Sequence, residues 1–158
     1  MTRRLPGLVI IAAAVLLSAA GYLALRDRAS DEEKIVSALL ATADAVERKD
    51  VRDIMEVVSE EYHDSSGLTR RVLTLLAWRA REIEERLRVA MSAPKVTLRD
   101  GRASVEVEVT VYVIDTSGRS QVLFEGPVNL TMRKEKRGHW RVVDSEGWQQ
   151  TIEVEQGF

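Results

Sequence analysis

A chain of 158 residues, 45% hydrophobic and 30% charged, is long enough for one domain with a sizeable core plus a short appendage. Its net charge of −2 supplies no global field to draw in nucleic acid, so no nucleic-acid partner is expected. The absence of cysteine excludes disulfides, thiolate metal sites, a cysteine nucleophile and a lipoprotein anchor, and the two histidines, His63 and His139, are too far apart in sequence to suggest a histidine-rich metal site.

Between Arg4 and Arg26 runs an uncharged stretch of about twenty residues, long enough to span a hydrocarbon core as a helix. Residues 5–25 are therefore expected to contact a lipid bilayer. Arg3 and Arg4 precede the stretch, while Arg26 and Arg28 follow it among Asp27, Asp31, Glu32 and Glu33. The Lys/Arg bias is slight, but the short basic leader favours a cytoplasmic N-terminus. Ser18-Ala19-Ala20 has the small residues of a signal-peptide cleavage site. The apolar run continues through Tyr22-Leu23-Ala24-Leu25, which favours an uncleaved anchor. Residues 1–28 thus read as a membrane anchor or signal segment and residues 29–158 as one domain. The expected location is the bacterial inner membrane, single-pass, with the domain in the periplasm, or secreted if the leader is cleaved.

Ser30 followed by Glu33 forms a capping box, opening a helix with an apolar stripe of Ile35, Val36, Leu39, Leu40, Ala43 and Val46. Asp50 caps a short second helix with Val51, Ile54, Met55 and Val58 on one face. The stretch EEYHDSSG, residues 60–67, is rich in turn formers. A third helix is expected over about 69–84, its buried stripe being Val72, Leu76, Ala80 and Ile83.

The remainder alternates as antiparallel strand. Leu87, Val89 and Met91 share a face; Val96 and Leu98 share one of opposite parity. Pro94 lies between them, so a bulge near Ser92 to Pro94 would bring both sets to one side and make a long, bent first strand. Asp100-Gly101 signals a two-residue hairpin pairing Val96 with Val105 and Leu98 with Ala103. Turning at Ser117-Gly118 would pair Val113 with Val122, Val111 with Phe124, Val107 with Val128 and Val105 with Leu130. A third turn at KEKRG leads to HWRVVDSEGW, setting Trp140 and Val142 against Met132 and Leu130.

This order of helices and bent meander, the Tyr62-His63-Asp64 corner and the closing Gly138-His139-Trp140-Arg141-Val142-Val143 stretch resemble the nuclear-transport-factor-2-like superfamily. The resemblance covers roughly residues 31–150. It implies an α+β roll in which N-terminal helices pack on a bent four-stranded antiparallel sheet and enclose a cone-shaped space. That superfamily, which includes polyketide cyclases and ketosteroid isomerase, has no invariant catalytic motif, so the resemblance carries the fold and not an activity.

The hollow of the cone is the default ligand site. Tyr62, Val107, Val109, Phe124, Met132 and Trp140 are expected to line it. Continuing the alternation Trp140, Val142, Asp144 places Asp144 on the hollow face opposite Val128, where an aspartate among valines would have a raised pKa and act as a general base. The competing reading makes Asp144-Ser145-Glu146-Gly147 a solvated turn. His63 is the other acid/base candidate. Asp64, adjacent in an extended stretch, points to the opposite side and more naturally caps a turn with Ser65 and Ser66. Arginines 70, 71, 79, 81, 86 and 88 mix with Glu82, Glu84 and Glu85, reading as a solvated face, or else as a contact for lipid headgroups or an acidic partner. No cofactor or metal is expected. The sequence supports a membrane-tethered extracytoplasmic binding or interaction domain. Its expected partners are a small apolar ligand in the hollow and a second copy across the outer sheet face, where Tyr112, Ile114 and Leu123 would prefer cover. The alternative is a small-molecule isomerase, cyclase or hydrolase using Asp144 or His63.

Overall fold

The computed structural model describes residues 30–148. The expected membrane segment at residues 5–25 and its cleavage site lie outside them. Among the described residues no helix is long and apolar enough to cross a membrane. The chain divides into two compact units, Met1–Lys34 and Ile35–Phe158. The described part of the first, residues 30–34, is helical, with Lys34 paired to Asp31 at 3.6 Å.

The second unit opens with helix α1, residues 35–48, which buries Ile35, Leu39 and Ala45. Leu40, expected on the buried stripe, is exposed instead. Lys49, at φ 56, ends the helix in the left-handed region. Its ammonium group bonds the carbonyls of Ile83 and Glu85, the latter at 2.7 Å, tying this corner to the far end of the third helix. Asp50 then caps α2, Val51–Glu56, by accepting from the Asp53 N–H at 3.1 Å, as expected.

Helix α3, Arg70–Glu82, stops at Ile83, whose ψ of 128 is extended. Its inward side differs from the expected one: Leu73 and Ala77 pack on the core, while Val72 and Ile83 are exposed. The sequence RRVLTLLAWRARE is apolar on more than one side, so periodicity alone cannot choose the buried stripe.

Strands β1, Arg86–Met91, and β2, Lys95–Arg99, both pair with β3, Arg102–Ile114. Strand β4, Ser120–Lys134, lies on the other side of β3, and β5, Trp140–Glu146, closes the curved antiparallel sheet. Among the described residues the sheet therefore counts five strands where four were expected, because the long bent first strand is interrupted at residues 92–94. The interruption does what the change of parity demanded: Val89 and Met91 oppose Val111 and Val109, while Val96 and Leu98 oppose Val105 and Ala103. Odd and even positions thus reach the same face. The Ser92 hydroxyl accepts from the Glu108 N–H at 3.0 Å, occupying a donor the ladder would otherwise leave there.

Two further irregularities shift registers read from strict alternation. Val111 opposes Phe124, Val107 opposes Val128 and Val105 opposes Leu130, all as expected. Beyond a bulge after Val111, however, Val113 meets Gln121 and not Val122. In β5 the slip is larger. Trp140 opposes Lys134 and Val142 opposes Met132, two places from the expected partners.

The core lies between the helices and the inner sheet face. Ile35, Val105 and Met132 are fully buried, with Met55, Tyr62, Trp140 and Val142 packed around them. Burial of side chains this size contributes roughly 1.5–3 kcal/mol each. A second cluster, Val107, Val109, Phe124 and Val128, continues along the same face, and Trp148 lies on it with its ring centroid 4.7 Å from that of Phe124.

Candidate functional site

After α2 the chain runs beside β5. Val142 donates its N–H to the Val57 carbonyl at 2.8 Å, Ser59 to Val142 at 2.9 Å and His63 to Val143 at 3.1 Å. The corner segment is thus stitched to the edge strand by main-chain bonds. This brings Tyr62, His63 and Asp64 beside Val143, Asp144 and Ser145, two stretches some eighty positions apart in sequence.

Alternation now sorts the corner. Tyr62 and Asp64 point inward and are 4% and 3% exposed, while His63 between them is exposed. The Tyr62 hydroxyl lies 2.7 Å from Ser145 Oγ and donates to Asp64 Oδ2 at 3.2 Å. Asp64 Oδ1 accepts from the Ser66 N–H at 2.9 Å, the Ser66 hydroxyl at 2.7 Å and the Leu68 N–H at 2.9 Å. The aspartate therefore folds its own turn, as a D-S-S-G stretch suggests, with Ser66 as the partner.

Burial pushes the Tyr62 phenol up to about 12; the Ser145 hydrogen bond opposes this, and the Asp64 charge adds to it. Burial also works to raise Asp64, but the bonds from Ser66, Leu68 and Tyr62 outweigh it and hold the carboxyl below its ordinary range. At neutral pH the cluster is a neutral phenol against an ionised carboxylate.

Asp144 is not where alternation put it. With Val143 bulged, Asp144 opposes Thr131, and Ser145 takes the place opposite Leu130 and faces inward. The expectation of a base on the hollow face opposite Val128 is thereby corrected. Asp144 is half-buried, its charge is felt by Tyr62, and its Oδ1 is buried with no hydrogen-bond partner. No hydrogen bond joins it to His63 among the described residues. The other expected lining residues, Val107, Val109, Phe124, Met132 and Trp140, are buried on the inner face.

A groove of about 500 Å³ opens on the other side of the corner, lined by Glu60, Glu61, Tyr62, His63, Thr69, Arg70, Arg71 and Thr74. Its charges are largely matched: Arg70 pairs with Glu60 at 3.4 Å and bonds the Val58 carbonyl, and Glu61 pairs with Arg133 at 2.7 Å. Below it the fully buried Ser59 donates to Glu135 Oε1 at 2.5 Å. That bond, helped by Arg133 and Arg141, holds Glu135 below its usual value against the opposing effect of burial. Among the described residues no group of three or more His, Cys, Asp or Glu is placed to hold a metal ion.

The partnership of Tyr62 with Ser145 and the Ser59–Glu135–Arg133 network were not legible in the sequence. Ser145 faces inward only because of the bulge, and nothing local to Glu135 points to Ser59.

Neither a protein-family model nor a curated protein matches the sequence. Solved structures do match by shape. A nuclear-transport-factor-2-like protein with a cystatin-like fold from Novosphingobium aromaticivorans is 20% identical, covering 78% of this chain and 85% of its own, with a TM-score of 0.67. A scytalone dehydratase-like protein from the same organism is 13% identical over 75% of this chain and 83% of its own, with a TM-score of 0.67. A nuclear-transport-factor-2-like superfamily protein from Salmonella enterica is 12% identical over 75% and 90%, with a TM-score of 0.63. At these identities the likeness is one of fold, and the chain has the cystatin-like α+β fold of the nuclear-transport-factor-2-like proteins.

Proposed function

We propose that this chain is a binding or interaction domain, tethered to a membrane by residues 5–25 and facing away from the cytoplasm. One observation carries the binding reading: among the described residues the inner sheet face is apolar and packed, with no free acid or base on it. Its β3 and β4 positions are Ala103, Val105, Val107, Val109, Phe124, Val128 and Met132. The polar groups at its edge, Tyr62, Asp64 and Ser145, are bonded to one another. A small apolar molecule would enter by displacing part of this packing, and the exposed Leu75, Trp78, Val122 and Leu123 suit another apolar surface. The uncharged run before Arg26 supports the tether.

A second reading rests on Asp144. A carboxylate oxygen buried without a partner beside a buried Tyr–Ser pair has the makings of an acid/base site in an isomerase, cyclase or hydrolase. Fold neighbours that include a scytalone dehydratase-like protein favour keeping it.

The test is to express the full chain in a bacterium, wash the membranes with alkali, extract the protein in mild detergent and analyse copurified small molecules by native mass spectrometry. The binding reading expects the chain in the washed membranes and an apolar molecule retained equally by wild type and Asp144→Asn. A molecule that wild type converts and Asp144→Asn only retains would establish the enzyme reading instead. A chain released by the alkaline wash would remove the tether.

A further inference from the structure

Helix α3 carries a second apolar face that no other described residue covers. Leu73 and Ala77 serve the core, whereas Val72, Leu75 and Trp78 point away from it and are 36%, 52% and 50% exposed. Their spacing of three makes one stripe along the helix. Arg71 and Arg79 are exposed beside it, and Arg81 lies over the Trp78 ring at 5.3 Å. The helix carries four arginines and one acidic residue, the exposed Glu82 at its C-terminal end. Elsewhere on this surface charges of both signs mix, as Lys95 and Glu106 do at 3.4 Å on the outer sheet face. A helix of thirteen residues is about 20 Å long and cannot cross a bilayer, but it can lie in the plane of one.

We infer that the exposed face of α3 seats on an anionic phospholipid surface, Leu75 and Trp78 entering the interface and the arginines meeting lipid phosphates. Charge selects this occupant: a stripe of leucine, valine and tryptophan bordered by Arg71, Arg79 and Arg81, with Glu82 the one acidic residue at its C-terminal end, leaves a net positive face that complements an apolar layer bounded by anions. Chain length supports it. Only residues 26–29 separate the expected span from the described helix, so the domain is held near the bilayer at high effective concentration. The inference rests on the tether reading for that proximity, and not for the chemistry of the face.

The absence of cysteine makes a single introduced thiol uniquely addressable. The full chain would be spin-labelled at Leu75→Cys, at Leu123→Cys on the outer sheet face, or at Ala13→Cys within the expected span. Each would be reconstituted in equimolar phosphatidylcholine and phosphatidylglycerol, and in phosphatidylcholine alone. The expected result is a label at 75 that is open to oxygen and shielded from a water-soluble nickel chelate in the anionic vesicles, while a label at 123 stays open to the chelate. Adding Arg71→Gln and Arg79→Gln lowers the ratio of immersed to free label about five-fold per arginine removed. A label at 75 as open to the chelate as that at 123 overturns the inference, and so does shielding in both lipids accompanied by spin–spin coupling, which would make a second copy the occupant. The label at 13 separates the failures. If 13 is immersed and 75 is not, the tether stands and the α3 contact falls; if 75 is immersed and 13 is not, the contact stands without the tether.

Discussion

The Tyr62 hydroxyl sits 2.7 Å from Ser145 Oγ, joining the corner after α2 to the last strand across eighty-three positions of sequence. The bond is buried, and the same hydroxyl donates to Asp64. Tyr62→Phe leaves Ser145 and Asp64 each one partner short without changing the shape of the ring. It is expected to cost roughly 1–3 kcal/mol in urea denaturation at neutral pH. Asp64 and Ser145 keep their places only if the corner stays docked, so increased proteolysis near residues 60–67 should accompany the loss.

The same phenol sets an alkaline limit. Its folded value, about 12, lies above the ordinary 10.0. The proton is held more tightly in the folded state, so the stabilisation is fully present below pH 10 and is lost as pH rises toward 12. About two units correspond to roughly 2–3 kcal/mol. A phenolate absorbance titration should show one of the three tyrosines ionising late and together with unfolding, and Tyr62→Phe should lose that late step. A wild-type chain whose stability is flat from pH 10 to 12 would contradict the assignment.

Asp64 and Glu135 set the acid limit. Both carboxyls are held below their ordinary values of 3.8 and 4.5, Asp64 by its turn and Tyr62, Glu135 chiefly by Ser59. A depressed acid stabilises the fold above its unfolded value and loses that contribution as pH falls through the folded one. Stability should decline below about pH 4.5, and Asp64→Asn should flatten the decline while costing about 1–3 kcal/mol at neutral pH. An unchanged acid slope in Asp64→Asn would show that the turn does not depend on the charge.

Much of the fold was legible because period-two alternation survives in β3 and β4. From Val105 to Val111 every inner position is a valine, and the pairings Val105–Leu130, Val107–Val128 and Val111–Phe124 follow. Even the break near Pro94 declared itself, since the parity of Val89 and Met91 disagrees with that of Val96 and Leu98. The bulge at Val143 left no such mark. Val142, Val143, Asp144 and Ser145 can alternate either way, and tertiary bonds from Val57, Ser59 and His63 decide which. The candidate site turned on that one residue: Ser145 took the inward place and Asp144 lost it. In α3 the ambiguity was rotational, because two apolar stripes compete for one core.

Met132 and His63 mark the two extremes of tolerance. Met132 is fully buried at the centre of the core, so Met132→Ala should cost about 2–5 kcal/mol, seen as a lower urea midpoint at unchanged slope. The His63 side chain is exposed on the groove and only its main chain is tied to Val143, so His63→Ala should fall within about 0.5 kcal/mol of wild type. A large loss for His63→Ala would mean that the ring holds the corner.

Gly147 gives the sharpest steric prediction. It ends β5 at φ 110, a backbone conformation that a side chain rarely adopts. A Cβ built there would stand 2.2 Å from the Pro127 carbonyl oxygen and 3.2 Å from Val128 Cα, both main-chain atoms of the neighbouring strand. Neither can swing aside as a side chain tip could. Gly147→Ala must therefore either lift the end of β5 from β4 or displace the strand segment bearing Pro127. Both routes disturb the Asn129–Glu146 and Leu130–Ser145 pairs, and with the second the Tyr62–Ser145 bond. The expected cost is at least about 2–3 kcal/mol, with faster amide exchange at residues 144–146 than in β3. An alanine variant of wild-type stability and exchange would show that the end of β5 has room that its close approach to Pro127 denies.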